Sequence, residues 1–216
     1  MLTIQDLERR FRHHVPRPQD TTHLYAVLVP LVEREGELYL LFEVRSATMR
    51  RQPNEVCFPG GRMERGETAE ACAVRETTEE LGIPPSAIRV IGQLDYIAHY
   101  SNLLLYPVLA QIDAGAAHHM TLSPNEVQAS FLVPLSFFRE HPPALYAYEL
   151  IPSTDEVFPY ERVGFQKPYP FRSGKMIVPV YEKYGGYVVW GLTGRIVRWL
   201  VGALSEPMPL PAEDAP

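Results

Sequence analysis

The stretch from residue 68 to residue 85 constrains this chain most, because its ends leave room for only one short helix. Thr68 offers a capping oxygen, residues 69–81 contain neither glycine nor proline, Gly82 stands just past the last helical position, and Pro84 and Pro85 forbid continuation. Within that helix Glu76, Glu79 and Glu80 stand at i, i+3 and i+4, which projects their carboxylates into an arc of roughly 100°. Neighbouring glutamates repel, and negative charge near a helix C-terminus opposes the macrodipole. Such a cluster calls for a cation. One turn earlier Ala69, Cys72 and Ala73 are all small, and we read them as leaving room for a ligand on that face. Val74, Thr77 and Leu81 are read as the side that packs on a sheet.

The flanking segments supply that sheet. Residues 25–32 are β-rich, Glu35 and Gly36 make a turn, and residues 37–43 form the returning strand of a hairpin. Pro30 has no N–H to donate, so it demands a bulge or a sheet edge. Further strands are expected near residues 89–98, 102–112 and 127–133, a short helix over 134–140, extended segments over 175–181 and 187–190, and a last helix over about residues 191–204. Residues 144–174 read as aromatic and proline-rich without a defined element. This order predicts an α/β (α+β) fold with a mixed β-sheet.

A chain of 216 residues accommodates one domain with elaborations rather than two cores. Ile4, Leu7 and Phe11 at helical spacing predict a helical extension over residues 1–20, before a main domain over 21–205. Residues 206–216, rich in proline and acidic side chains, are expected to be a disordered tail. The longest apolar runs fall short of the roughly 20 residues a membrane helix needs, and residues 1–12 lack the apolar centre of a signal peptide, so no membrane partner and a cytoplasmic location are expected. Cys57 and Cys72 are read as free thiols. A net charge of −6 gives no general attraction to phosphate backbones, which speaks against a nucleic-acid partner. Oligomeric state is left open, a homodimer included.

Read as a unit, the segment is Gly61, five residues, Glu67, seven residues, Arg75-Glu76, two residues, Glu79-Glu80, one residue, Gly82-Ile83. Over these 23 residues the chain resembles the Nudix family signature, departing from it at Thr77, where the family carries an aliphatic residue. The resemblance implies a Nudix-type α/β/α sandwich with a loop-helix-loop catalytic motif. It implies Glu76, Glu79 and Glu80 as ligands to Mg²⁺ or Mn²⁺, the carbonyl of Gly60 as a further ligand, and Glu67 with Arg75 as a structural ion pair. The chemistry of the residues agrees, since hard divalent cations take carboxylate and carbonyl oxygen and retain waters that are readily activated. Among the catalytic candidates Glu79 and Glu76, Glu79 is favoured to bind metal or to accept the proton of the attacking water. Glu126 is the candidate for an additional acid from outside the helix.

Upstream, Arg45, Ser46, Arg50 and Phe58-Pro-Gly-Gly61 fall at the spacing of an element that marks the coenzyme A pyrophosphatase branch of this family. Two parts depart from that element: its leading Leu-Leu-Thr is only partly kept, and Asn54 replaces a glycine, Asn being the non-glycine residue that best tolerates a left-handed backbone. Residues 190–197 also resemble the C-terminal helix of that branch. Coenzyme A carries a diphosphate and a separate 3′-phosphate, so guanidinium groups near the acidic helix suit it, and Arg45, Arg50 and Arg51 are the candidates. The implied reaction is hydrolysis of coenzyme A or a derivative to 3′,5′-ADP and 4′-phosphopantetheine. Two other readings stand beside it. One is hydrolysis of another nucleoside diphosphate conjugate, such as ADP-ribose, a sugar nucleotide or a dinucleotide; the other is a nucleotide-sensing module without catalysis.

Overall fold

The computed structural model describes residues 2–15, 18–20, 23–153, 158–166 and 171–205, so the expected tail lies outside the described residues. Helix α1 (Ile4–Phe11) is closed at its start by a capping box between Thr3 and Asp6, and it has no buried residue. Strand β1 (His23–Arg34) turns through Glu35 and Gly36, whose φ angles of 52° and 79° are those of a two-residue hairpin turn, into β2 (Glu37–Arg45).

Halfway along, β1 and β2 part. They pair from Leu31 and Leu40 to Arg34 and Glu37, and beyond that point two short strands, β3 (Val56–Cys57) and β4 (Gly60–Arg62), are wedged between them. β3 pairs with β2, and β4 with β1 at Tyr25 to Val27. This wedge explains Pro30, which needs neither the bulge nor the edge that its sequence demanded. The N–H of Leu28 points into the wedge and donates to Pro59 O at 2.8 Å. The nitrogen of Pro30, two residues on, faces the same side, in the gap between the two pairings, where no ladder partner stands.

On its other edge β1 runs parallel to β7 (Leu103–Ile112) over ten residue pairs, from His23 to Val32. The single strand expected over 89–98 is two, β5 (Ile88–Gln93) and β6 (Ile97–His99), both antiparallel to β7 and separated by an irregular stretch after a register shift at Ile91. Strand β8 (Val127–Pro134) closes the far edge of β2. Helices cover both faces. On one lie α2 (Ala69–Leu81) and the short α3 (Ala114–His118), over a core that includes Leu28, Leu41, Val108 and Ile112. On the other lie α4 (Leu135–Glu140) and α5 (Gly191–Ser205), over Phe42, Val133 and Val197. This is the mixed sheet that the order of elements predicted, in the α/β/α arrangement that the resemblance implied. The residues from 144 onward hold more than expected: β9 (Ala144–Leu150) and β10 (Gly174–Val180) form a separate antiparallel hairpin beside α5. None of the described helices is long and apolar enough to cross a membrane.

A candidate active site at the junction of helix and sheet

Local capping sets α2 as read from the sequence. The Thr68 side chain accepts the N–H of Ala71, and Gly82 adopts a left-handed φ of 66° while its N–H bonds Thr78 O. The small residues have another use than the one expected. Ala69, Cys72 and Ala73 are buried against β1 and β7, so they clear no ligand surface and instead bring the helix close to the sheet. Thr77, also fully buried, satisfies its hydroxyl by donating to Ala73 O at 2.7 Å.

Close approach grades the three glutamates by depth instead of leaving them on one open face. Glu80 is 5% exposed, Glu76 is half-buried, and the side chain of Glu79 is 56% exposed. The Phe-Pro-Gly-Gly turn meets them. Phe58 anchors it in the core by stacking on Phe42 with ring centroids 4.8 Å apart, and burying a ring of that kind stabilises by about 1.5–3 kcal/mol. Gly60, at φ 155°, donates its N–H to Glu80 Oε2 at 2.8 Å, and any Cβ there would collide with Ala26. A Cβ on Gly61 would occupy the place of the Glu76 carboxyl.

Arg75 is the cation that the crowded helix calls for. It grips Glu67 with two bonds, Nε to Oε1 at 2.9 Å and Nη2 to Oε2 at 3.1 Å, and also reaches Glu76 at 2.8 Å and Glu79 at 3.3 Å. These bonds and the Glu64 amide pull the Glu67 pKa from the ordinary 4.5 to about 2. Because the folded value lies below the unfolded one, this stabilisation is present above about pH 4.5 and fades as pH falls toward 2. Glu67→Gln is therefore expected to cost about 1 kcal/mol at pH 7 and close to nothing near pH 2, read as the urea midpoint against wild type. A difference that stays constant with pH would dismiss the ion pair as its source.

The structure adds a carboxylate that the sequence reading overlooked. Glu43 of β2 is 1% exposed, accepts the Cys57 thiol on Oε1 at 3.3 Å, and has no partner on Oε2. Burial pushes the Cys57 thiol up, which keeps it protonated as a donor. Burial likewise raises Glu43 to about 7 and, together with the charge on Glu43, Glu80 to about 9. Glu76 is raised by burial as well. Glu126, exposed in the turn before β8 and bonded to Ser123, adds repulsion to all three. The signal available in the sequence was a carboxylate between Phe42 and Val44, interrupting the apolar run that begins at Leu38.

On the opposite side of the β3–β4 wedge lies a cavity of about 640 Å³. Arg45, Arg51 and Arg195 line it together with Tyr100, Tyr148 and Trp190; Arg50 is exposed and does not. Arg195, on α5, and the β9–β10 hairpin were not anticipated as parts of a site. Among the described residues none of the three lining arginines is held in an ion pair. Cavity and acids meet at the wedge itself: Cys57, Gly60 and Gly61 line the cavity, and each also lies against one carboxyl, those of Glu43, Glu80 and Glu76. Among the described residues no three acids, histidines or cysteines already stand as a closed metal site. In this conformation Arg75 holds Glu76 and Glu79, and the Gly60 amide holds Glu80.

Comparison with known proteins follows the same outline. The family model of the NUDIX domain matches residues 22–152. The chain is 38% identical over 136 residues to the peroxisomal coenzyme A diphosphatase NUDT7 of Mus musculus, covering 62% of this chain and 56% of that protein. It is 36% identical over 118 residues to Nudix hydrolase 3 of Caenorhabditis elegans, covering 54% of this chain and 49% of that protein. Against the Nudix hydrolase NudL of Enterobacter sp. (strain 638) it is 36% identical over 206 residues, covering 92% of this chain and 93% of that one.

Proposed function

Since this chain belongs to the Nudix family, we propose that it hydrolyses the pyrophosphate bond of coenzyme A or a derivative, releasing 3′,5′-ADP and 4′-phosphopantetheine, with Mg²⁺ or Mn²⁺ as cofactor. The observation that carries the reading is the shared wedge, in which Cys57, Gly60 and Gly61 lie between carboxylates and a cavity lined by guanidinium groups that form no ion pair among the described residues. An anionic substrate held by the cavity thereby meets acidic groups where its bond is to be cut. The likeness to a coenzyme A diphosphatase over part of the chain supports the substrate class.

The donor set fits a hard divalent cation. It is all oxygen, and a buried carboxyl oxygen of Glu43 has no other partner. Glu76, Glu79 and Glu80, with the carbonyl of Gly60, would hold the ion. When bound, it supplies Lewis-acid polarisation of the diphosphate and makes an attacking water more acidic. Glu79, the most exposed of the three and among the described residues tied only to Arg75, would either complete the ligands of the ion or turn to take the proton of that water. Glu126, whose charge bears on Glu43, Glu76 and Glu80, would serve as the additional acid. Arg45 and Arg51 grip phosphate oxygens from the cavity wall, Arg195 stands across the same cavity on α5, and Arg50 reaches the substrate only from the exposed loop.

The test is a product assay on coenzyme A, 3′-dephospho-coenzyme A, ADP-ribose and a dinucleotide, with each metal. Coenzyme A is expected to give the highest kcat/KM. Arg45→Ala and Arg51→Ala should each lower that value by about ten- to a hundredfold, the worth of one charge-assisted phosphate contact. If ADP-ribose or the dinucleotide is cut better than coenzyme A, the substrate assignment fails and hydrolysis of another nucleoside diphosphate conjugate replaces it. If none is cut, a nucleotide-binding module without catalysis takes its place.

A further inference from the structure

The carboxyl of Glu43 belongs to no part of the helix segment that the proposed reaction uses, yet it is the most deeply buried acid of the site. It reaches the junction from the sheet, on β2, while Glu76, Glu79 and Glu80 come from α2. One oxygen accepts a thiol, a weak donor, and the other accepts nothing. A buried carboxylate is tolerated only when its oxygens are paired. The groups facing it offer little: among the described residues Cys57 is its one hydrogen-bond partner, Arg45 two residues along the strand attracts it without forming an ion pair, and Glu76, Glu80 and Glu126 all repel it. Arg45 in turn has a buried Nε without a partner, so the nearest guanidinium does not resolve the charge.

We propose that Glu43 is itself a ligand to a divalent cation, gripping the ion from the sheet through Oε2 while Glu80 grips it from the helix. The inference rests on the cation chemistry of the proposed function and extends it to a residue 33 positions before Glu76. An oxygen without a partner, a second buried carboxyl beside it and the surrounding excess of acids are what a dication bound by hard ligands removes at once. The geometry also divides the labour. Glu43 and Glu80 are sheltered and hold the ion, while Glu79 at the surface stays available to water.

The test is direct metal binding by the full chain. After exhaustive dialysis against chelator, Mn²⁺ is titrated into wild type and Glu43→Gln, with free Mn²⁺ followed by electron paramagnetic resonance and heat by calorimetry. Glu43→Gln is expected to fold, to lose on the order of tenfold or more in Mn²⁺ affinity or one bound ion per chain, and to gain less thermal stability from added Mn²⁺ than wild type. Glu43→Thr carries the same expectation and stands in should the glutamine chain not fold. Wild-type affinity and stoichiometry in a folded Glu43 variant overturn the proposal and leave the hydrolase reading intact. A wild-type chain that binds neither Mn²⁺ nor Mg²⁺ overturns both.

Discussion

Glu79→Gln and Glu80→Gln proteins are each expected to remain folded and to lose turnover by a factor on the order of 10² to 10⁴, the range of a lost catalytic acid–base group or of a lost charge stabiliser. The two should differ in origin. Glu79 is largely exposed and among the described residues linked only to Arg75, so its replacement leaves packing untouched and removes the group proposed to receive a proton. Glu80 is buried, and as a carboxylate it is disfavoured by its surroundings. An isosteric amide there ends that cost and still offers an oxygen to the Gly60 N–H, so the metal-free variant should melt no lower than wild type. Turnover from steady-state kinetics, set against melting temperature in chelator, checks both. Near-normal turnover in the two variants would remove these glutamates from the mechanism.

Chelation should have an effect at least as large. With divalent ions stripped, activity is expected to fall to background and to return on addition of Mg²⁺ or Mn²⁺, because the carboxylates alone repel an anionic diphosphate. In the presence of either ion the rate should rise toward alkaline pH, since the nucleophile of the proposed reaction is a water that must part with a proton. Among the residues at the wedge, Cys57 is held as a protonated thiol and spends its hydrogen on Glu43, which leaves it unsuited to act as a nucleophile in place of water. Full activity after exhaustive chelation would eliminate the cation-dependent scheme.

The features that the amino-acid sequence determined unaided are those encoded within a few residues. The limits of α2 follow from Thr68, Gly82 and Pro84, because capping and backbone φ are local properties. The tolerance of Asn54 for a left-handed backbone, observed at φ 63°, was legible for the same reason, whereas the bidentate pair of Glu67 with Arg75 was expected only from the resemblance to the Nudix signature. Tertiary structure alone decided how deep each group lies and what it meets. Ala69, Cys72 and Ala73 look the same in sequence whether they clear a ligand face or seat a helix; contact with β1 and β7 makes them the second. Pro30 is tolerated in a central strand because β1 changes partners there, a matter of pairing with residues 31–62 that no local pattern encodes. The cavity draws Arg45 and Arg51 from the strand and loop before the helix, and Tyr148, Trp190 and Arg195 from far beyond it. Glu43 gains its meaning only when β2 brings it beneath α2, where burial removes the water that would otherwise satisfy its second oxygen.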